Sequence, residues 1–203
     1  MRLLLSAAAL VLIALPAKAG LLLEPYLGYE VGQAEATYGT AAGAFAGGST
    51  KWNYAGPILG ARIGYTAPAV FFIAADYNMG SSLTFKVDTD ASGIQSGGDG
   101  SRSALFLVAG AKILVLRGYI GYGFLNDWTI KDGTDENKVK GTALKLGASF
   151  TGIPIFAINF EMMNSTFTKI SSGGTDYDPS DGGFFKAAKA SSYMISLSAP
   201  FDL

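Results

Sequence analysis

PILGARIGYTAPAVFFIAADYNM, residues 57–79, has the length and much of the apolarity of a membrane-spanning helix. Its interruptions decide against one. Pro68 sits at the centre, where a helix would lose a hydrogen bond and clash with the preceding turn. Read at every second position, the stretch separates into two faces. Leu59, Ala61, Ile63, Tyr65, then Phe71, Ile73, Ala75, Tyr77 and Met79 fall on one; Gly60, Arg62, Gly64, then Phe72, Ala74, Asp76 and Asn78 fall on the other. A period of two is a strand period, so the spacing predicts two strands joined by a tight turn at Pro68.

The same alternation runs outward in both directions. Leu21, Leu23, Pro25, Leu27, Tyr29 and Val31 oppose Glu24, Tyr26, Gly28, Glu30 and Gly32. Further segments with one large apolar face lie at 105–113, 118–124, 143–150, 156–163 and 192–201, which brings the predicted strands to eight. Three connections are short, near Ala67-Pro68, near Val115–Arg117 and at Thr151–Pro154. Four, at about 39–50, 87–102, 131–138 and 170–184, are longer and rich in Gly, Ser, Thr and Asp. Short turns at one end and long polar loops at the other are the layout of an eight-stranded antiparallel up-and-down transmembrane β-barrel.

The charges settle which face points out. They share a face with the glycines and alanines, whereas the opposite face is Leu, Ile, Phe and Tyr. A Lys or Arg on a lipid face at mid-membrane costs roughly 2–4 kcal/mol, so the charged face is the inner one. Tyr65, Phe71, Phe150, Phe156 and Phe201 would form an interfacial girdle near the short turns, and Tyr77, Phe124, Trp128 and Phe160 another near the loops.

Ahead of the strands, Arg2, the apolar run Leu3–Leu15, Pro16 and Ala17-Lys18-Ala19 have the layout of a secretory signal peptide cleaved after Ala19. The expected organisation is a signal peptide at 1–19 and one barrel domain at 20–203. Without Arg2 and Lys18 the charge balance becomes 13 basic against 16 acidic groups, which gives no reason to expect nucleic acid. The chain contains neither cysteine nor histidine. That excludes thiolate metal sites and every mechanism that needs imidazole, so neither an enzyme nor a cofactor is expected.

The C-terminus, SYMISLSAPFDL, places Ile195, Leu197, Ala199 and Phe201 at alternate positions and ends on Leu203. With the eight-strand pattern, it resembles the OmpA-type family of small eight-stranded outer-membrane barrels, barrel domain only. The resemblance implies a monomer in the outer membrane of a Gram-negative bacterium, its partners the lipid bilayer and the barrel assembly machinery that reads the last strand. It also implies an interior filled with ion pairs.

The inward charges are expected at Glu24, Glu30, Arg62, Asp76, Lys112, Lys145, Glu161 and Lys186, four acids and four bases. They would either neutralise one another in a packed polar core or line a gated, narrow pore. Asp88, Asp90 and Asp99 approach the spacing of a calcium loop, although Asp and Gly are ordinary loop residues and no metal is expected. The functional expectation is an envelope or surface-interaction role exerted through the long extracellular loops toward an unidentified ligand. The alternative is a narrow pore or small-molecule conduit across the outer membrane.

Overall fold

The computed structural model describes residues 20–67, 70–89, 97–132, 135–179 and 183–203. The expected signal peptide, the expected turn residue Pro68 and Asp90 lie outside these.

Eight long antiparallel strands make the wall: β1 (Gly20–Tyr38), β2 (Ser49–Thr66), β3 (Phe71–Thr89), β4 (Gly98–Ile113), β5 (Leu116–Asp132), β6 (Asp135–Ile153), β7 (Phe156–Ser172) and β9 (Phe185–Ser198). Each pairs with its neighbour in sequence, and β9 pairs with both β7 and β1, which closes the barrel. Two short strands, β8 (Thr175–Tyr177) and β10 (Phe201–Asp202), add to β7 and β1 respectively.

At one end the turns are minimal. Ile113 pairs with Leu116 across Leu114-Val115, and Ile153 pairs with Phe156 across Pro154-Ile155. Both turns require a positive φ, found at Leu114 (56°) and Ile155 (74°), where glycine is the usual occupant. Arg117, expected in a turn, is the second residue of β5.

At the other end the strands are longer than the sequence suggests. Half of 87–102 and most of 131–138, expected as loops, belong to β3, β4, β5 and β6; the stretch after β1, with a short 3-10 turn at Thr40–Phe45, and the one between β7 and β9, which holds only the short β8, keep most of the expected loop extent. A strand of 19 residues is about 60 Å long at ~3.3 Å per residue, or about 45 Å along the barrel axis at a tilt near 40°. The outward apolar stretch of β1, Leu21 to Val31, accounts for little more than half of that. Beyond it the outer face turns polar: Gln33 and Glu35 on β1, Asn53 and Lys51 on β2, Thr84 and Lys86 on β3, Lys140 and Lys138 on β6, Ser191 and Lys189 on β9. The barrel is therefore an apolar-walled lower half carrying a polar-walled collar.

Candidate functional site

The lower half is filled from the wall inward. Tyr26 and Tyr119 reach across the lumen over Gly60 and Gly147, where an added Cβ would stand 2.3 and 2.1 Å from the tyrosine rings. Between the two rings lies the guanidinium of Arg62, 4.8 Å from each centroid. Arg62 Nε donates to Asp76 Oδ2 at 3.0 Å, Nη1 faces Glu24 Oε1 at 3.2 Å, and Nη2 donates to Glu161 and to the Tyr119 hydroxyl. Lys145 Nζ bridges Asp76 at 2.9 Å and Glu161 at 3.1 Å, over the ring of Phe106. Tyr26 donates its hydroxyl to Asp76 at 2.7 Å.

Toward the short turns the network continues. Arg117 donates to Glu24 at 2.5 Å and Ser198 to the same oxygen at 2.6 Å. Asn159 bonds Ser196 and Ser198 alongside. Higher up, Arg102 forms a second centre, donating to Glu30 at 2.7 Å and Asn78 at 2.6 Å, while Tyr54 donates to Glu30.

Six of the eight expected charges, Glu24, Glu30, Arg62, Asp76, Lys145 and Glu161, thus lie buried in these two clusters. The other two do not. Lys112 has the inward parity but stands next to the end of β4, opposite Arg117, and its side chain reaches solvent. Lys186 is the extra residue of a bulge: Thr37 pairs with Ala187 and Tyr38 with Phe185, so Lys186 is skipped and exposed. The two bases they would have supplied are Arg102 and Arg117. Both were legible by parity, Arg102 with Ala104 and Phe106, Arg117 with Tyr119, but both fell in stretches assigned to a loop and a turn. The interior still balances four acids against four bases, as burial of charge demands.

Trp128 is the other departure. Counting by twos from Tyr122 puts it on the outer face, yet it is buried inside. The reason is a bulge at Phe124-Leu125, both exposed: Leu105 pairs with Leu125 and the next residue, Phe106, with Gly123. The slip moves every later residue of β5 to the opposite face. Ser81-Ser82 in β3 does the same and turns Leu83 and Phe85 inward.

These inward aromatics form a floor above the charge clusters. Trp128 meets Tyr54 edge-on at 4.8 Å and Phe167 at 5.3 Å, with Phe85 at 5.9 Å, and its indole N–H donates to Asn126 at 2.8 Å. Above the floor, inside the collar, lies a cavity of about 320 Å³. Its walls include Trp52, Phe85, Ile130, Phe167, Ile170 and Ala188, and Tyr38 and Phe185 line it within an aromatic group that also holds Phe45, Tyr177 and Phe184. On the outer face of the wall beside it, Glu35 and Lys189 stand 3.2 Å apart; the Lys189 ammonium holds the Glu35 carboxyl below the usual carboxylate range. A second opening of about 500 Å³ faces the short-turn end, between Leu22, Phe72, Lys112 and Arg117. The charge clusters and the aromatic floor separate the two.

Asp88 lies at the end of β3 and Asp99 in β4, paired with Thr84 and Lys131. Among the described residues no group of three acids is placed to hold a metal.

The closed eight-strand wall, apolar outside and charged inside, is the fold of an outer-membrane β-barrel. OprG from Pseudomonas aeruginosa shares it over 92% of this chain and 98% of its own, at 14% identity and a TM-score of 0.52. Neisserial surface protein A aligns over 87% and 97% at 16% identity (TM-score 0.48), and the protease OmpT from Escherichia coli over 90% and 97% at 11% (TM-score 0.41). No family model and no curated protein matches the sequence. At these identities the likeness speaks for the fold and not for an activity.

Proposed function

We propose that this protein is a non-enzymatic outer-membrane barrel that captures a small apolar molecule in the vestibule of its collar. The observation that carries the reading is the inverted interior. A barrel whose lumen through the membrane holds two charge clusters packed among Leu22, Phe72, Phe106 and Val108 has above them a mostly apolar interior around a cavity of about 320 Å³. Concave, mostly apolar surface with several aromatic rings and a few polar groups is the usual make-up of a small-molecule site. The clusters of Arg62 and Arg102 and the Trp128 floor argue against a continuous ion path below it.

The only two tryptophans of the chain, Trp52 and Trp128, both line the cavity. Occupancy therefore has an intrinsic reporter. Titrating decanol into the protein in lipid nanodiscs should give a saturable change in tryptophan emission, with empty discs as the blank. A strictly linear response, equal to simple partitioning into lipid, would sink the reading.

Surface contact is the second reading, supported by the exposed Ala41, Ala44, Phe45 and Ala46 at the tip of the first loop. Deleting residues 41–46 should then reduce cell-surface adhesion; unchanged adhesion removes it.

A further inference from the structure

The vestibule exists because one part of its wall is built from the smallest side chains. In the β1–β9 ladder Ala34 stands opposite Ala190 and Ala36 opposite Ala188, and all four are buried. Two positions along a strand span about 7 Å and neighbouring strands lie about 4.8 Å apart, so the four methyl groups make a flat patch of roughly 7 by 5 Å. In a closed ring of eight, β5 lies across the lumen from β1, so Trp128 and Ile130 face this patch. Phe85, Val139, Phe167 and Ile170 fill other inward positions, and Gly97, Gly98, Thr50 and Ser172 add further small lining. Ala34, Ala36 and Ala188 are the part of that small lining that stands across from Trp128.

We infer that Ala34, Ala36 and Ala188 set the size limit of the ligand, and that the ligand is an uncharged apolar molecule no larger than two fused six-membered rings. The inference rests on the capture reading and adds to it the class of molecule and the residues that select it. A dry cavity of roughly 150 Å³ holds one benzene ring, and about 320 Å³ gives room for about twice that. Charge is excluded by the lining. Its charged members are Glu35 and Lys189, which belong to the outer face of the wall and pair with each other there. An ionic group carried deeper would lose water and find no counter-charge.

The test uses the full barrel in nanodiscs and two saturated probes that do not absorb with tryptophan: cyclohexane, one ring, and decalin, two fused rings. The wild type should bind both saturably. Ala36→Leu and Ala188→Leu, which project a larger side chain into the cavity, should keep cyclohexane affinity within about twofold and weaken decalin at least tenfold. Ala36→Val and Ala188→Val should show the same selectivity to a smaller degree and serve if the leucine variants fail to fold, as judged by heat-modifiable migration. Ala75→Leu, on the outer face, should bind like the wild type. Variants that bind both probes as the wild type does would overturn the size limit and leave capture standing. A wild type that binds neither probe but responds saturably to decanol would overturn the ring-sized ligand class; one that answers none of the three removes the capture reading and this inference together.

Discussion

On β1, between Leu21 and Val31, the outward side chains are Leu21, Leu23, Pro25, Leu27, Tyr29 and Val31, and the inward ones include Glu24 and Glu30. A few residues later, the outward ones are Gln33, Glu35 and Thr37, and the inward ones Ala34, Ala36 and Tyr38. The strand, its pleat and its period are unchanged; only the sign of the pattern is reversed. The lower half resembles a soluble protein turned inside out, and the collar is the ordinary kind, with an apolar interior and a wet surface. Period reports the backbone, and sign reports the solvent beyond the wall. One strand crosses two solvents, and its side chains change over where the lipid ends.

The largest blow to this contrast should come from the charge cluster. Arg62→Ala would leave Glu24, Asp76 and Glu161 sharing Lys145 and Arg117, and removing one partner of a buried ionic group costs about 3–5 kcal/mol. A urea midpoint lowered by that amount divided by the m-value is expected. If the midpoint stays put, the lower half does not depend on its ion pairs. The intact cluster also predicts a wild-type barrel that shows no single-channel openings in a planar bilayer.

A matched pair on the outer face of β1 sharpens the contrast. Leu27→Arg, in the apolar belt, should destabilise by roughly 2–4 kcal/mol, and Gln33→Arg, six residues along the same face, by no more than about 0.5 kcal/mol. Equal effects would mean that the belt does not end near Val31.

The smallest effect belongs to the collar's rim. Glu35 is held below its ordinary carboxylate pKa by Lys189. A depressed acid stabilises the fold above its unfolded pKa, and that contribution disappears as pH falls through the folded value. At pH 7 Glu35→Gln should therefore lower stability by a few tenths of a kcal/mol, as exposed pairs do. Once the pH has fallen below the folded pKa of Glu35 the two proteins should unfold alike. A difference that persists down the whole acid titration would assign the loss to packing.

The lower half was legible in sequence because its two faces differ so strongly: Leu, Ile and Phe against Gly, Glu and Arg62. The collar was not, for a physical reason. Its outward residues are Ser, Thr, Asp and Lys, the composition of loops, and its inward apolar residues change parity at Ser81-Ser82 and at Phe124-Leu125. A bulge leaves no mark in composition, so Trp128 was expected on the outside, and Arg102 was hidden in a stretch that looked like a loop. The cavity follows from both errors corrected at once, since it needs the strands extended and the aromatics turned inward.

The collar lifts the mouth of the vestibule clear of the lipid, by about 20 Å if the belt is about 25 Å tall. On the capture reading, a molecule would arrive at the cavity from water and not from the bilayer. The barrel would then compete for each ligand with the membrane around it, whose volume is far greater, and would favour compounds that dissolve a little in both phases.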